Sequence, residues 1–300
     1  MPGTKPILVT GATGRHGGTG AHLVARLTEQ GRDVRVLARS RSDRTAALEA
    51  LGAEIVIGDL QDRRSTVPAL DGVGLAYFTY PIDAGVVSAA ANFAAAVREA
   101  GVSPRTVVMS MGPAHPKHPS ERGRDQWLAE EILQWAGLDV LLLRVAAAFH
   151  ENIETLHGKS IEDGVIRNCF GRGPVSWING RDAAELAVAA LLHPERFDSS
   201  ICYPSGAEAL SHDEIAAILT EELGKPVRYE PVTPEEWRRE LVELSTTDQV
   251  VNPVMAGHIT AVAQRVAEHG STMASDTEAL QRLIGRPPLT FREHLRQRIG

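Results

Sequence analysis

The chain has 300 residues, of which 43% are hydrophobic, and a formal net charge of −7. This composition is enough for a substantial buried core and predicts a globular protein of one large or two small domains. The 31 basic residues are scattered among 38 acidic ones, which argues against a nucleic-acid partner. No apolar run is long enough to cross a membrane, so we expect a soluble, cytoplasmic protein without a membrane partner. Only Cys169 and Cys202 are present, too few for a disulfide framework or a structural zinc site, and both are expected to be buried apolar residues.

Six short apolar segments alternate with segments of helical period over the first half of the chain. The predicted strands are, in chain order, KPILVT, DVRVLAR, AEIVIGD, LAYFTY, RTVVMS and DVLLLR. Because these runs are apolar along their whole length, they favour a parallel sheet covered by helices on both faces. We therefore predict an α/β fold with a doubly wound parallel sheet, a Rossmann domain, over residues 1–150.

The alternation becomes less regular after about Phe149. Four later segments have helical period: RDAAELAVAALLHP, HDEIAAILTEELG, PEEWRRELVEL and TFREHLRQRI. Two others, SSICYP and KPVRYEPV, are candidate strands, and the first of them is placed so that it could return to the main sheet. Residues 151–300 are therefore expected to form a smaller, mainly helical substrate lobe that is partly interleaved with the main sheet.

A glycine-rich turn, TGATGRHGG, joins the first predicted strand to the first predicted helix. Glycines at Gly11, Gly14 and Gly17 allow a tight turn and a close approach of backbone N–H groups to a phosphate, which the positive end of the helix also attracts. The turn, with Arg15 and His16 inside it, therefore predicts the pyrophosphate site of a dinucleotide. The alternative is a glycine turn that only connects a strand to a helix.

The end of the second predicted strand indicates which dinucleotide is bound. An NAD site usually has Asp or Glu there, whereas this chain has Arg39 and Ser40, with Arg41 and Arg44 close behind and Arg15 in the glycine turn. A guanidinium can hold a phosphate with two hydrogen bonds, so the cluster predicts an NADP(H) site and NADPH as the cofactor. A solvated basic turn is the alternative.

Asp59 ends the third predicted strand. It is expected either to accept a hydrogen bond from the adenine amino group or to cap a helix that begins near Gln61. Asp182 is expected to be an acidic residue in the first turn of a later helix.

Several segments, in this order along nearly the whole chain, resemble the NmrA-like family of atypical short-chain dehydrogenase/reductases: TGATGRHGG, LARS, GDL, AGVSPRTVVMSMG, LLLRVAAAFHEN and GRPPLTFREHL. The resemblance implies either an NADPH-dependent reductase of quinones, dyes or phenolics, or a nucleotide-binding regulator without turnover. The cofactor contacts that it implies are Gly11, Thr13, Gly14, Gly17, Arg39, Asp59, Leu60, Phe78, Thr79, Tyr80, Ser110, Met111 and Gly112.

The catalytic Tyr-x-x-x-Lys pair of the wider superfamily is absent, because none of the four tyrosines has a lysine four residues later. In the region of α-helical pattern where relatives often carry His or Lys, this chain has Gln126. A reductase of this sequence therefore needs another proton donor or takes its proton from water.

Three residues are candidates for catalysis. Ser110 would lie beside the nicotinamide, His118 lies in the loop after the fifth predicted strand, and His150 follows the sixth. A plain loop histidine and a helix-start residue are the alternatives for the two histidines. His115 and His118 have H-x-x-H spacing, but no third ligand is evident and no metal site is predicted.

These patterns predict an NADPH-dependent reductase of a small aromatic or conjugated carbonyl-type substrate such as a quinone, enone or imine. Trp127, Phe170 and Trp177 are expected either in its substrate pocket or in the core. The alternatives are an NADP(H)-sensing regulatory protein without turnover and a non-redox isomerase or cyclase on the same fold. The expected partners are the small-molecule substrate and, as a possibility, a second copy of the chain in a homodimer.

Overall fold

The computed structural model describes residues 5–14, 18–247 and 250–299. The strands in these ranges are β1 (Ile7–Thr10), β2 (Val34–Ala38), β3 (Glu54–Ile57), β4 (Leu75–Phe78), β5 (Arg105–Met111), β6 (Val140–Val145), β7 (Ala148–Phe149), β8 (Val165–Asn168), β9 (Val175–Ile178), β10 (Ile201–Cys202), β11 (Glu208–Leu210) and β12 (Arg228–Pro231). The helices are α1 (Thr19–Glu29), α2 (Asp43–Ala50), α3 (Arg63–Thr66), α4 (Val86–Glu99), α5 (Glu121–Trp135), α6 (Glu151–Glu162), α7 (Gly180–Leu192), α8 (His212–Leu223), α9 (Pro234–Leu244), α10 (Pro253–His269), α11 (Thr277–Ile284) and α12 (Phe291–Ile299).

Seven strands form one parallel sheet in the order β10-β6-β5-β4-β1-β2-β3. The chain moves outward in one direction from β1 to β3 and in the other direction from β4 onward. The strand order therefore reverses between β1 and β4, and the loops that leave these two strands diverge. In open α/β sheets ligands bind at this position, at the carboxyl ends of the strands. The prediction of a doubly wound parallel sheet is confirmed.

Alternate strand residues face opposite layers of helices. Ile7 and Val9 of β1 belong to a buried cluster that includes α1 and α7, whereas Leu8 belongs to the cluster with α4 and α5 on the other face. The side chains of α7 are mostly small and buried, which lets this helix pack closely against both α1 and the sheet. Both faces of the sheet are thus covered, as the uniformly apolar strands predict.

The residues after 150 divide between the sheet and a separate lobe. β10 pairs with β6 at the edge of the main sheet, and α7 packs on that sheet. α11 packs on α7, and its Leu280 and Ile284 belong to the same buried cluster as that helix. Most of the remaining elements enclose a third buried cluster around Trp177, Trp237 and Phe291. The helical lobe is confirmed, although it also contains two small sheets, β11-β9-β7 and β12-β8, of which the sequence indicated only β12. Of the helices that the structure describes, none has the length and apolar character needed to cross a membrane.

Candidate functional site

The glycine turn after β1 is shaped by close backbone contacts. Gly11 has a φ of +70°, and a Cβ at this position would overlap Thr79 at the end of β4. The Gly14 N–H donates to the Gly11 carbonyl at 2.9 Å, and a Cβ on Gly14 would lie 3.0 Å from the same oxygen. On α1, a Cβ on Gly20 would lie 2.7 Å from Ala12 Cα, so Gly20 permits the close helix–strand packing of a dinucleotide fold. Gly20 was not among the residues predicted from the sequence. Three predicted residues of the turn, Arg15, His16 and Gly17, lie outside the described residues.

Helix α1 begins beside this turn without an acidic side chain. Gly18 is its N-cap, makes no side-chain cap hydrogen bond, and is followed by a first turn free of Asp and Glu. The first N–H groups of a helix lack intrahelical partners and carry partial positive charge. A bound anion would satisfy both conditions, so the N-terminus of α1 and the glycines beside it fit a pyrophosphate.

The basic residues after β2 differ in their ion pairs and hydrogen bonds. Arg41 is paired with Glu49, and Arg44 Nη1 donates to the Thr13 carbonyl at 2.9 Å. Arg39 and Ser40 are exposed, and within the described ranges Arg39 forms no ion pair. Arg39 is therefore the guanidinium that is available for a phosphate.

A network of hydrogen bonds joins the ends of β1, β3 and β4. Asp59 accepts from the Gln61 N–H at 2.9 Å, and the side-chain amide of Gln61 donates to Tyr80 Oη at 2.8 Å. The Thr79 N–H donates to Thr10 Oγ1 at 2.9 Å. Because α3 begins at Arg63 with Asp62 as its cap, the interpretation of Asp59 as a helix cap is wrong. We call these strand ends, together with Gly11–Gly14 and Arg39, the nucleotide edge.

Next to the nucleotide edge, a cavity of about 160 Å³ lies at the carboxyl ends of β5 and β6. Most of its wall is apolar, and the largest contributions come from Val145–Phe149 and from α10. Six polar residues complete the wall: Ser110, Asn152, Ser176, His258, Ser271 and Thr272. A mainly apolar space with a few polar groups is typical of small-molecule sites.

Ser110 lies in the cavity wall, but its hydroxyl proton is directed away from the cavity. Ser110 Oγ donates to the fully buried carboxylate of Glu130, which is also paired with Arg144, whose Nε lies at 2.9 Å. Arg144 Nη1 in turn lies 2.5 Å from Tyr203 Oη. Burial raises the pKa of Glu130, while the guanidinium and the hydroxyl oppose that shift. Ser110 therefore offers lone pairs to a ligand and is not placed to donate a proton to it. Its catalytic role stays a prediction.

His150 does not reach the cavity. Its ring is fully buried against Phe291 and His294, and neither ring nitrogen has a hydrogen-bond partner in the described structure. Burial lowers its pKa to about 3, so the imidazole is neutral. The structure thus contradicts the prediction of His150 as a proton donor and agrees with the alternative of a helix-start residue, because α6 begins at Glu151.

His118 is connected to the cavity through Ser120. The Ser120 N–H donates to His118 Nδ1 at 3.1 Å, and Ser120 Oγ lies 3.0 Å from the same nitrogen. Ser120 Oγ also lies 2.7 Å from Nδ1 of His258, which lines the cavity. Sequence reasoning missed His258 because 138 residues separate it from Ser120, and a single histidine in an apolar helix carries no local signal.

The other predicted residues have mixed positions. Phe170 lines the cavity, whereas Trp177 is a core residue whose Nε1 donates to the Leu210 carbonyl at 2.9 Å. Trp127 is half-buried on α5. Asp182 lies in the first turn of α7, as predicted, and also pairs with Arg286 at 2.6 Å.

The described residues were also examined for reactive cysteines and for metal-binding side chains. Cys169 is buried and Cys202 is half-buried, and burial raises the pKa of Cys169 to about 12. In the portion of the chain that the structure describes, no three His, Cys, Asp or Glu side chains are arranged to hold a metal ion.

The chain matches the model of the NmrA-like family over residues 3–284. It belongs to the NmrA-like family. It is 30% identical over 290 residues to the NAD(P)H azoreductase of Xenophilus azovorans, with 96% of each chain covered. It is also 30% identical over 292 residues to the (4-alkanoyl-5-oxo-2,5-dihydrofuran-3-yl)methyl phosphate reductase of Streptomyces griseus subsp. griseus, covering 96% of this chain and 95% of that protein.

Solved structures share the fold across the whole chain. An NADPH-dependent quinone oxidoreductase of Escherichia coli, complexed with NADPH, has a TM-score of 0.81 and 22% identity, covering 98% of this chain and 100% of its own. NmrA, a negative transcriptional regulator solved in complex with NADP, has a TM-score of 0.76 and 19% identity, covering 98% of this chain and 95% of its own.

Proposed function

We propose that this protein is an NADPH-dependent reductase of a small aromatic or conjugated acceptor, such as a quinone, an enone, an imine or an azo compound. The observation that carries the proposal is the apolar cavity beside the nucleotide edge. Its wall includes Ser110 and Met111, two of the three residues, 110–112, that the family resemblance assigns to the nicotinamide. An apolar wall favours a planar, apolar substrate and excludes water from the reacting atoms.

The nucleotide edge fits NADPH. Gly11, Gly14 and the N-terminus of α1 would hold the pyrophosphate, because a side chain on either glycine would occupy the space around the turn. Arg39 would hold the 2′-phosphate, since it is exposed and forms no ion pair with any residue that the structure describes. When bound, NADPH supplies a hydride from its dihydronicotinamide ring.

Ser110 and the cavity wall would orient the reactants. With its proton committed to Glu130, Ser110 Oγ is a fixed acceptor for an N–H or O–H group at the carboxyl end of β5. The buried ion pair of Glu130 with Arg144 keeps this hydroxyl in one orientation. Such fixed polar groups lower the entropy that is lost when reactants are aligned.

A regulator that binds NADP(H) without turnover is the second candidate. It is favoured by the missing Tyr-x-x-x-Lys pair, and the NADP-binding regulator described above has the same fold. A reductase and a sensor would bind the nucleotide alike and would differ only in turnover.

The deciding experiment follows the oxidation of NADPH by the purified protein with 1,4-naphthoquinone, cyclohex-2-enone, methyl orange and crystal violet as acceptors. We expect turnover with at least one of them, and the Gly14→Val variant serves as a control without nucleotide binding. Tight binding of NADPH by calorimetry without oxidation in the presence of any acceptor would refute the reductase and favour the sensor.

A further inference from the structure

The loop between β4 and α4, residues 79–85, contributes both to the nucleotide edge and to the cavity wall. Its first two residues, Thr79 and Tyr80, belong to the nucleotide edge. Its fourth residue, Ile82, lines the cavity and is half-buried, although its two neighbours in the chain are exposed. The position of this loop therefore decides where one apolar part of the cavity wall lies relative to the nucleotide. We call residues 79–85 the shared loop.

The two ends of the shared loop are held from the nucleotide edge. The side-chain amide of Gln61 donates to Tyr80 Oη and to the Gly85 carbonyl, both at 2.8 Å. The Thr79 N–H donates to Thr10 Oγ1 at 2.9 Å. All three bonds come from residues in or after β1 and β3, so the ends of the loop should keep their positions when contacts with the lobe are changed.

The middle of the shared loop is held by two side chains from distant parts of the chain. Asn252 Nδ2 donates to the Ile82 carbonyl at 3.1 Å, across 170 residues. Arg122 of α5 is buried, and its Nη1 donates to the carbonyl of the next residue of the loop, Asp83. Two consecutive carbonyls are therefore fixed by groups outside the loop.

Asn252 also begins α10. Its Oδ1 accepts from the Met255 N–H at 2.8 Å, which makes Asn252 the N-cap of this helix. The Met255 N–H needs an acceptor and the Ile82 carbonyl needs a donor, so one orientation of the amide satisfies both. Because α10 contributes Ile259 and Val262 to the cavity wall, Asn252 joins two parts of that wall, one from the main sheet and one from the lobe.

Resting on the proposed function, we propose that Asn252 is a positioning residue for the acceptor. Through the Ile82 carbonyl it fixes Ile82 relative to α10, so the cavity wall already has the arrangement in which it binds the acceptor. A wall that is ordered beforehand spares the acceptor the free energy of ordering it on binding. The role concerns the acceptor and not the nucleotide, because Gln61 and Thr10 hold the ends of the shared loop independently.

Two substitutions remove the donor and keep the helix cap, because Asp and Ser are N-cap residues as good as Asn. Asn252→Asp has the same shape but no N–H, and Asn252→Ser is uncharged but too short to replace the amide at the Ile82 carbonyl. We expect both to raise KM for 1,4-naphthoquinone by about tenfold, the effect of one lost hydrogen bond, with a smaller loss of kcat. The Kd for NADPH should stay unchanged.

Asn179→Ser is the matched control. Asn179 is also an N-cap, and its Nδ2 lies 3.0 Å from His294 Nδ1, but neither residue lines the cavity. This variant should leave KM for 1,4-naphthoquinone unchanged. An equal rise of KM in the control would show that any lost contact of the lobe has this effect, and it would overturn the positioning role of Asn252.

Hydrogen exchange reports on the shared loop directly, whether or not the protein turns over. The Asp83 N–H donates within the loop to the Pro81 carbonyl at 2.7 Å. We expect this amide to exchange faster in Asn252→Ser, whereas the amides of α10 should keep their protection because the cap is retained. Equal loss of protection in α10 would mean that the substitution acts on the helix and not on the loop.

Binding of 1-naphthol, which NADPH does not reduce, separates the positioning role from turnover. Calorimetry with the NADP⁺-loaded protein should show about tenfold weaker binding in both Asn252 variants. The same result without NADPH oxidation by any of the proteins would overturn the reductase and still support the role of Asn252.

The outcomes that contradict the positioning role are distinct. Unchanged 1-naphthol binding in both variants, an effect confined to the charged Asn252→Asp, or a parallel rise in the Kd for NADPH would each overturn it and leave the reductase standing. If the unmodified protein neither oxidises NADPH with an acceptor nor binds 1-naphthol, the proposed function and the positioning role fail together.

Discussion

The nucleotide edge and the cavity lie next to each other on one sheet, but they are built differently. The nucleotide edge is formed by short segments that each follow a strand of the main sheet: the turn Gly11–Gly14 after β1, Arg39 after β2, and the ends of β3 and β4. The cavity joins Ser110 of β5 with His258 of α10, and its hydrogen bonds span 138 residues between Ser120 and His258. A site formed by a backbone turn can be predicted from a short sequence motif. A site assembled from distant residues by tertiary packing cannot.

The lobe and the main sheet also differ in their titratable groups. The lobe holds four buried histidines whose pKa is lowered by burial: to about 3 for His150, His212 and His258 and to about 4 for His157. The carboxylate below the cavity, Glu130, is held by an ion pair instead. The following experiments separate the two regions, beginning with the largest expected change in free energy.

Acidification should destabilise the lobe more than the seven-stranded sheet. Below pH 6.5 an unfolded chain protonates these four histidines while the folded chain does not, so their stabilising contribution is complete above pH 6.5 and is lost as pH falls toward 3 to 4. At pH 5 each histidine lowers the free energy of unfolding by about 2 kcal/mol. Hydrogen exchange at pH 7 and pH 5 should show that amide protection factors fall more in α8–α10 than in β1–β6.

The matched variant is His212→Phe, because His212 stacks between Phe170 and Tyr229 in an aromatic cluster that a phenyl ring also fits. It should recover about 2 kcal/mol of the loss at pH 5 and little at pH 7. Protection factors that fall equally in the sheet and in the lobe between pH 7 and pH 5 would show that these histidines do not distinguish the lobe from the sheet.

Removal of the carboxylate below the cavity should also destabilise the protein strongly. Glu130→Ala leaves the Arg144 guanidinium buried without its partner, which lowers the free energy of unfolding by about 3–5 kcal/mol. Urea titration measures this difference, and Glu131→Ala, at the next position of α5, is the control. A change below about 1 kcal/mol would show that solvent replaces the carboxylate and that Ser110 is not held in one orientation.

A side chain in the glycine turn should weaken nucleotide binding strongly without unfolding the sheet. A branched side chain at Gly14 would meet the Gly11 carbonyl and fill the space beside the turn, so Gly14→Val should raise the Kd for NADPH by about 100-fold or about 2.7 kcal/mol. Gly158→Ala on α6, where a Cβ meets no other atom within 4 Å, is the control. Unchanged affinity in a folded Gly14→Val variant would make the turn a simple connection.

The main sheet could be predicted because each strand carries its own signal. A parallel strand buried on both faces is a short apolar run, and six such runs between helical segments leave few possible topologies. In the lobe, β7 has only two residues and β11 only three, and both pair with β9, which contains Trp177. Strands of this kind are stabilised by tertiary contacts, which local sequence does not encode.

The candidate site follows the same division. The backbone roles of Gly11 and Gly14 follow from the absence of side chains, which the sequence states directly. The position of His150 next to a predicted ligand-binding edge was correct, but whether a side chain faces a cavity or the core depends on packing that a single sequence does not reveal. His258 has no neighbouring motif, so it emerges only when α10 is placed against the start of α5.

The smallest expected effect is on nucleotide choice, and it tests whether the nucleotide edge is as specific as its sequence. Arg39 is exposed and has no ion-pair partner in the described part of the chain, whereas Arg41 is paired with Glu49. The unmodified protein should bind NADPH at least tenfold more tightly than NADH, a difference of about 1.4 kcal/mol. Arg39→Asp should reverse this order, because it removes an attraction to the 2′-phosphate and adds a repulsion, while its carboxylate can accept from the ribose hydroxyls of NADH.

Arg41→Ala controls for the loss of a positive charge in the same loop, and it should retain the preference for NADPH because its guanidinium is already paired. Calorimetric titration of both cofactors against the three proteins measures the preference directly. The effect should shrink as salt is added, since an exposed guanidinium and a phosphate are screened over about 10 Å at 0.1 M. Equal affinity of the unmodified protein for NADPH and NADH would mean that this basic loop is only a solvated turn and that the specificity of the protein resides in the cavity.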